Sequence, residues 1–320
     1  MQPIARQIHH HILKARKIVI VPHQHPDGDA LGAATAFYEY LVGLKKDAAI
    51  FCVTPPSHKL NFLPHASLVT AHQPVITDPA VDTIVVLDSG DLRYNGIANL
   101  VKNQAAAIIN IDHHITNERY GHINLVRPQA SSTCEILYHY FHANHLPINQ
   151  PMATSLLAGI TTDTGNFTNA ATTASALSVG GELIRSGGNL NLVAAGTVQN
   201  KSVSALRLWG AVLSRLATDE PSGITYTYVT QKDLVASGNP DAESEGIANF
   251  LNNLDGNRIA LILKEAPDGK IKGSFRTTRD DVDVSALAKK LGGGGHKKAA
   301  GFTVSGTIEE VLEKVLTMEK

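Results

Sequence analysis

Residues 17–30 read KIVIVPHQHPDGDA, and this stretch indicates how the first half of the chain folds. It begins with a short β-branched run, Lys17–Pro22, which predicts a buried strand, and it ends in the polar segment His23–Asp29. Apolar residues then recur at helical spacing over Ala30–Leu44. A strand that leads through a polar turn into a helix is typical of a parallel sheet.

The same alternation of strand and helix continues along the first half. The further predicted elements are strands at Asp47–Val53, Thr83–Leu87 and Ala107–Ile111, and helices at Ser132–Ala143 and Met152–Thr162. Continuously apolar strands are buried on both faces of their sheet. The sequence therefore predicts an α/β fold in which a parallel sheet carries helices on both faces.

The second half has a different pattern. We expect a first domain over residues 1–188, a helical connector over 189–217 and a second domain over 218–320. The predicted elements of the second domain are strands at Ile224–Val229, Arg258–Lys264 and Lys270–Thr277, and helices at Val284–Leu291 and Ile308–Met318. These elements indicate a smaller C-terminal α+β domain.

The composition excludes several classes of protein. The 320 residues carry 28 basic and 29 acidic side chains, and this balance disfavours a protein that coats long nucleic acid. Two cysteines do not make a disulfide framework, so we expect a cytoplasmic location. No apolar run approaches the roughly 20 residues of a membrane helix, and Met1–Arg16 lacks the features of a signal peptide. Histidine is concentrated early, since 14 of the 15 lie at or before His145.

Polar residues follow four apolar elements, at the point where each element ends. They are the segment His23–Asp29, the single Asp88, the run Asp112–His114, and Asp163. The carboxyl ends of parallel strands line one crevice, so we expect the first three of these segments to converge there.

Converging carboxylates and imidazoles predict a metal site, because a cation removes the cost of burying carboxylates together. Oxygen and nitrogen ligands without thiolate favour Mn²⁺ or a similar ion over a structural zinc. The candidate ligands are His23, Asp27, Asp29, Asp88, His113 and Asp163. This set suffices for two ions bridged by Asp88, the usual arrangement for in-line attack on phosphorus.

Each residue also has a simpler interpretation when taken alone. Asp27 or Asp29 could cap the helix that starts at Ala30, and Asp88 or Asp112 could begin an Asx turn. The joint occurrence of all four segments favours the metal site.

The four segments resemble the motifs of the DHH phosphoesterases. The matching residues are His23-x-x-Pro26-Asp27-x-Asp29-Ala30, Asp88, Asp112-His113-His114 and Asp163-Thr164-Gly165. In the second half, Gly273–Arg276 and Gly292–His296, followed by Ala299–Gly301, resemble the DHHA1 domain of that superfamily. The resemblance covers almost the whole chain.

The resemblance implies a role for each motif residue. His23 and Asp27 would bind one metal, Asp29, His113 and Asp163 would bind or share the other, and Asp88 would bridge. His114 would face the substrate phosphate, with Asp112 behind the ligands as an orienting group. The implied catalytic set is Asp88, His113, His114 and Asp163. His25 stands where the family is expected to have Asn, so the choice between His23 and His25 as ligand stays open.

The second domain offers residues for binding substrate. Ser274 and Arg276 share one face of a predicted strand, and Arg276 can grip a phosphate with two parallel hydrogen bonds. The amides of Gly293, Gly294 and Gly295 can cradle a phosphate or a base, with His296 directly after them and His114 contributed by the first domain. The simpler interpretation of the glycine run is a helix cap followed by a loop.

The resemblance implies a metal-dependent phosphoesterase that uses two divalent ions, with Mn²⁺ favoured. It would hydrolyse short oligoribonucleotides to mononucleotides and remove the 3′-phosphate of adenosine 3′,5′-bisphosphate (pAp). The expected partners are short single-stranded oligoribonucleotides and nucleotides such as pAp, not long nucleic acid or membranes; a homodimer is one option. The alternatives are a phosphodiesterase for linear or cyclic dinucleotides, a manganese pyrophosphatase, and a non-catalytic RNA-binding module.

Overall fold

The strand predicted at Lys17–Pro22 is β1 (Lys17–Val21), and it lies inside a six-stranded sheet in the computed structural model. The other strands of this sheet are β2 (Asp47–Phe51), β3 (Val69–Thr70), β4 (Thr83–Leu87), β5 (Ala107–Asp112) and β6 (Ile123–Val126). The strand order is β3-β2-β1-β4-β5-β6, and every pairing is parallel. The predicted parallel sheet is confirmed; β3 and β6 were not predicted.

Helices cover both faces of this sheet. They are α1 (Gln2–Lys14), α2 (Gly28–Gly43), α3 (Pro74–Thr77), α4 (Ala98–Val101), α5 (Thr133–Ala143), α6 (Gln150–Asp163), α7 (Ala174–Arg185) and α8 (Leu190–Thr197). Ile18 and Ile20 of β1 belong to a core that includes residues of α1, α2, α5 and α6. Val19 and Val21 belong to a second core, with residues of α3 and α4. Successive side chains of a strand point to opposite faces, which is why β1 is apolar throughout.

Glycines let α2 and α6 pack very closely. A Cβ built on Gly32 of α2 would lie 2.5 Å from the carbonyl oxygen of Ser155 in α6. A Cβ on Gly28 would lie 2.5 Å from the Thr162 methyl group. Side chains at both positions would push the helices apart. The close crossing brings the start of α2, with Asp29, next to the end of α6.

The second sheet also has six strands, but it is mixed. Its chain segment contains α9 (Val203–Leu213), β7 (Ala217–Asp219), β8 (Ile224–Val229), α10 (Gln231–Ala236), α11 (Ile247–Phe250), β9 (Ile259–Glu265), β10 (Lys270–Arg276), α12 (Val284–Lys290), β11 (Gly294–His296), β12 (Ala299–Ser305) and α13 (Ile308–Thr317). The order is β11-β12-β10-β9-β8-β7, with β8 and β9 parallel and the other pairs antiparallel. The predicted α+β character is confirmed.

The chain divides into two compact units, Met1–Asn200 and Lys201–Lys320. The structure describes residues 1–197, 199, 201–238, 246–251, 254, 256 and 258–318, and it leaves the side chains of 249 and 296 undescribed. The range expected as a helical connector holds α8 in the first unit and α9 in the second. The sequence predicts helical structure up to Ala217. In the structure α9 ends at Leu213, and Ala217 is the first residue of β7. The borders at 188 and 217 stay predictions.

No helix within the described ranges is long and apolar enough to cross a membrane.

A half-buried ion pair gives the second unit a pH-dependent stability. The Arg215 guanidinium contacts both carboxylate oxygens of Asp233, at 2.7 and 2.5 Å, and Thr230 donates its N–H to the same carboxylate at 2.8 Å. The hydrogen bonds from Arg215 hold the pKa of Asp233 at about 2. A carboxylate whose pKa is depressed in the folded state stabilises the fold above its unfolded pKa. That contribution disappears as the pH falls towards the folded pKa.

We expect Asp233→Asn to lower the free energy of unfolding by about 1–2 kcal/mol near pH 7. The difference from the unmodified protein should shrink as the pH falls from about 4 towards 2. Urea unfolding at several pH values measures both effects. Asp268→Asn, in an exposed pair with Lys270, is the control and should leave stability essentially unchanged. A difference that stays constant down to about pH 2 would contradict the linkage.

Candidate metal centre

The site begins where β1 runs into α2. Asp27 is the N-cap of α2, since its Oδ1 accepts the N–H groups of Asp29 and Ala30 at 3.0 Å each. The capping role considered from the sequence is therefore real for Asp27. Its side chain is nevertheless 57% exposed and its Oδ1 lies 3.7 Å from Nε2 of His23. The Asp27 carboxylate can therefore cap α2 and also bind a metal ion beside His23.

His23 is buried and oriented by its own backbone. Its Nδ1 donates to the carbonyl oxygen of Gln24 at 2.7 Å, so Nε2 faces Asp27 and lies 3.6 Å from Oδ2 of Asp88. Burial disfavours the charged ring, but the carboxylates of Asp27 and Asp88 outweigh it and raise the pKa of His23 to about 9. His25 is exposed and belongs to none of the potential ligand groups among the described residues.

Asp88 directly follows β4 and adopts a left-handed backbone conformation, with φ of 58°. Its N–H donates to the carbonyl oxygen of Ile111 in β5 at 3.0 Å, and its carboxylate is buried. Oδ2 faces His23, while Oδ1 lies 3.5 Å from Nε2 of His113 and accepts the Thr133 hydroxyl at 3.0 Å. Non-glycine residues in this strained conformation cluster at functional sites.

Asp29, His113 and Asp163 form the other side of the site. Nε2 of His113 lies 3.3 Å from Oδ2 of Asp163. The two oxygens of Asp29 accept backbone N–H groups at the start of α5, from Thr133 at 2.6 Å and from Cys134 at 2.9 Å. Burial and the nearby charge of Asp88 raise the pKa of Asp29 to about 7. Burial and the charge of Asp29 also raise the pKa of Asp163.

The structure brings all six candidate ligands together. Three overlapping groups have potential ligand atoms within 4.8 Å of one another: His23, Asp27 and Asp88; Asp29, His113 and Asp163; and Asp88, His113 and His114. We call the six residues His23, Asp27, Asp29, Asp88, His113 and Asp163 the ligand cluster. Asp88 and His113 each belong to two groups. The pKa values of Asp29, Asp88 and Asp163 are raised, because the positive charge near these buried carboxylates does not balance their negative charge. The potential ligand atoms are all oxygen or nitrogen. This donor set fits a divalent cation.

Asp112 lies behind the ligand cluster, fully buried and outside the three groups. Its carboxylate accepts the N–H of His113 at 2.8 Å, Nδ1–H of His114 at 2.7 Å and the amide of Asn117 at 2.5 Å. Burial works against the charge of this carboxylate, but the hydrogen bonds from His114 and Asn117 lower the pKa of Asp112. The hydrogen bond to Asp112 raises the pKa of His114 to about 9. Asp112 thus fixes the orientation of His114.

The sequence predicted the start of α5 at Ser132 correctly, but sequence reasoning missed the contacts that this helix start makes with the site. Ser132 caps this helix by accepting the N–H of Glu135 at 3.0 Å, which directs the first amides of α5 towards Asp29. Thr133 adds its hydroxyl to Asp88. The signal was present, because Ser132-Thr133-Cys134-Glu135 has the Ser-x-x-Glu spacing of a helix start.

The predicted substrate residues of the second unit meet at one part of its sheet. Ser274 pairs with Gly301, which pairs with Gly294; Arg276 pairs with Ala299, which pairs with the backbone of His296. The side chain of His296 lies outside the described residues.

Three of the four glycines in this run have structural reasons. Gly292 follows α12 with φ of 74°. Cβ atoms on Gly293 and Gly295 would lie 2.1 and 2.6 Å from backbone oxygens of the neighbouring strand. A Cβ on Gly294 would meet nothing within 4 Å. Helix capping and strand packing therefore explain part of the run, but not Gly294.

Comparison with known proteins assigns the family. Residues 17–160 match the model of the DHH family, N-terminal domain, and residues 223–318 match the DHHA1 domain. The chain is 34% identical over 95% of its length, and 90% of the relative's, to the bifunctional oligoribonuclease and PAP phosphatase NrnA of Thermus thermophilus. It is 28% identical to the Bacillus subtilis protein of the same name, over 90% of this chain and 89% of that one.

A solved structure agrees over the whole fold. The crystal structure of an exopolyphosphatase-related protein from Bacteroides fragilis has a TM-score of 0.92 and 26% sequence identity, and the match covers 99% of this chain and 96% of that one. The chain therefore belongs to the DHH family of phosphoesterases, in the group with a C-terminal DHHA1 domain.

Proposed function

We propose that this protein is a two-metal phosphoesterase that hydrolyses short oligoribonucleotides to mononucleotides and removes the 3′-phosphate of pAp. The observation that carries the proposal is the ligand cluster, in which Asp88 and His113 each belong to two ligand groups. The names of the Thermus and Bacillus relatives supply the substrate class. DHH phosphoesterases are metal-dependent, and we propose two Mn²⁺ ions here.

The chain's own residues divide the work of holding the ions and substrate. His23 and Asp27 would hold one ion, Asp29, His113 and Asp163 the other, and Asp88 would bridge them. When bound, such ions lower the pKa of an attacking water and neutralise charge on phosphoryl oxygens. His114, held by Asp112 through Nδ1, presents Nε2 as a donor for a non-bridging phosphate oxygen. Water would attack the phosphorus in line with its bond to the ribose 3′-oxygen, which leaves as that bond breaks.

We assign substrate binding in the second unit to Ser274, Arg276, Gly293, Gly294, Gly295 and His296. The open surroundings of Gly294 support this assignment, since packing does not require glycine there. A ligand that approaches the backbone closely does require it. Arg276 would bind a phosphate through its planar pair of donors.

The test is digestion of a labelled RNA ladder, from the dinucleotide upwards, by purified protein with Mn²⁺. Parallel reactions contain pAp, pApA, a cyclic dinucleotide or pyrophosphate. We expect the shortest RNAs and pAp to be consumed to mononucleotides, with turnover falling as length increases. Faster turnover of the cyclic dinucleotide or of pyrophosphate would overturn the assigned substrate. No hydrolysis with any divalent ion would support the non-catalytic alternative.

We expect Asp112→Asn to reduce kcat about 10–100-fold while the protein still folds. The amide keeps the shape of the side chain but loses the negative charge that stabilises His114 and orders His113. Steady-state kinetics on a dinucleotide, with circular dichroism as a check of folding, measures the effect. Asp47→Asn, at the exposed start of β2, is the matched control and should retain full activity. Unchanged kcat in Asp112→Asn would refute the orienting role.

A further inference from the structure

Tyr94 is an exposed aromatic side chain beside the ligand cluster. Its ring centroid lies 5.3 Å from that of His23, with 40° between the ring planes, and the residue is 53% exposed. Among the exposed large apolar side chains of the described residues, only Tyr94 and Phe250 are aromatic. Leaving an aromatic face in water forgoes the free energy gained by burying it. The exposed ring is therefore available to a flat ligand at the site.

Two hydrogen bonds hold the backbone that carries this ring. The N–H of Tyr94 donates to the carboxylate of Asp91 at 2.9 Å, and its carbonyl accepts the side-chain amide of Gln24 at 3.0 Å. Gln24 directly follows His23, so the loop that carries Tyr94 is tied to the segment that carries a candidate ligand. A ring on an ordered backbone has only its own side-chain torsions to restrict when a ligand stacks on it.

A second exposed apolar side chain comes two residues after His113 of the same cluster. Ile115, directly after His114, is 82% exposed and lies in a turn closed by the hydrogen bond from Asn117 N–H to the His114 carbonyl at 3.1 Å. Phosphate and ribose would favour charged or hydrogen-bonding neighbours at this border. Apolar neighbours instead favour the flat, weakly polar face of a base.

We propose that Tyr94 is the stacking platform for the nucleobase of the nucleotide whose phosphate binds at the ligand cluster. This inference rests on the proposed function, and it adds a base-binding position in the first unit. Every base has a π-face, so stacking recognises a nucleotide without choosing a sequence.

The test compares two ligands that differ only in the base, AMP and ribose 5-phosphate, by titration calorimetry on the Mn²⁺-loaded protein. We expect the unmodified protein to bind AMP about tenfold more tightly or better. Tyr94→Leu should abolish this preference and leave binding of ribose 5-phosphate unchanged, whereas Tyr94→Phe and Tyr94→Trp should keep the preference. Tyr138→Leu is the matched control, because that ring also lies 5.3 Å from a histidine, His139, outside the ligand cluster.

Three results would overturn the platform: no preference for AMP in the unmodified protein, a preference that survives Tyr94→Leu, or equal weakening of both ligands. A loss in Tyr94→Phe as large as in Tyr94→Leu would also overturn it, by assigning the effect to the hydroxyl. The RNA ladder separates this inference from the proposed function. A protein that prefers AMP through Tyr94 but cleaves no RNA would refute only the function, and one that cleaves RNA but binds AMP independently of Tyr94 would refute only the platform.

Discussion

Asp88→Asn should abolish metal-dependent hydrolysis while the protein stays folded. Asn has the shape of Asp and tolerates the left-handed conformation found at this position, so the backbone need not move. The variant removes the negative charge shared by two ligand groups. We expect a loss greater than the roughly 100-fold cost of removing a partner that only orients a ligand. Initial rates on a dinucleotide with Mn²⁺ give the loss directly.

Thermal unfolding supplies a readout that does not depend on catalysis. Added Mn²⁺ should raise the melting temperature of the unmodified protein, since a ligand at 100 times its Kd stabilises by about 2.7 kcal/mol. Asp88→Asn should lose most of this gain. In EDTA it should be at least as stable as the unmodified protein, because one of several crowded, buried carboxylates is gone.

Asp82→Asn is the matched control, since Asp82 directly precedes β4 and Asp88 directly follows it. Asp82 accepts the N–H of Arg16 at 2.9 Å, and the carbonyl of Asn can replace this acceptor. We expect normal rates and a normal response to Mn²⁺. Full activity in Asp88→Asn, or an equal loss in Asp82→Asn, would contradict the bridging role.

The sequence predicted the parallel sheet well because its strands are buried on both faces. Thr83–Leu87 has the predicted bounds, since an apolar run with polar residues at each end leaves little choice. Ile224–Val229 of the second sheet also has the predicted bounds, because it alternates as a half-buried strand does. β3 was missed because a strand of two residues is too short to show an alternation of apolar and polar side chains. β12 was missed because Ala299–Ser305 is rich in small residues, and its strand character comes from pairing with β10.

The candidate ligands could be predicted because they lie at or shortly after the ends of β1, β4, β5 and α6, and the topology brings the ends of the three strands to one edge of the sheet. Thr133 could not be assigned this way, since its contact with Asp88 depends on where α5 packs against the sheet. Which of His23 and His25 is a candidate ligand likewise depends on the direction of each side chain in the folded protein. His23 lies next to β1 and points inwards, whereas His25 has a left-handed backbone and an exposed side chain.

Gly159→Ala should destabilise the protein and impair the site together. Gly159 lies in α6, where alanine would normally favour the helix by about 0.5–1 kcal/mol. Here the added Cβ would lie 2.3 Å from Sγ of Cys134 and 2.6 Å from Oδ1 of Asp29. Both neighbours are buried, so relief requires movement of α5 or of a ligand. We expect a net loss of about 1–3 kcal/mol in the free energy of unfolding, with a lower rate in Mn²⁺.

Gly181→Ala in α7 isolates the cause, because a Cβ there would meet nothing within 4 Å. This control should be slightly more stable than the unmodified protein and fully active. Cys134→Ala combined with Gly159→Ala removes the shortest contact, leaves the one at 2.9 Å with the Cβ of residue 134, and should recover part of the lost stability. Activity should recover less than stability does, because the contact with Asp29 remains. Equal stability of Gly159→Ala and Gly181→Ala would mean that α6 and α5 have room at this crossing, and that the position of Asp29 does not depend on it.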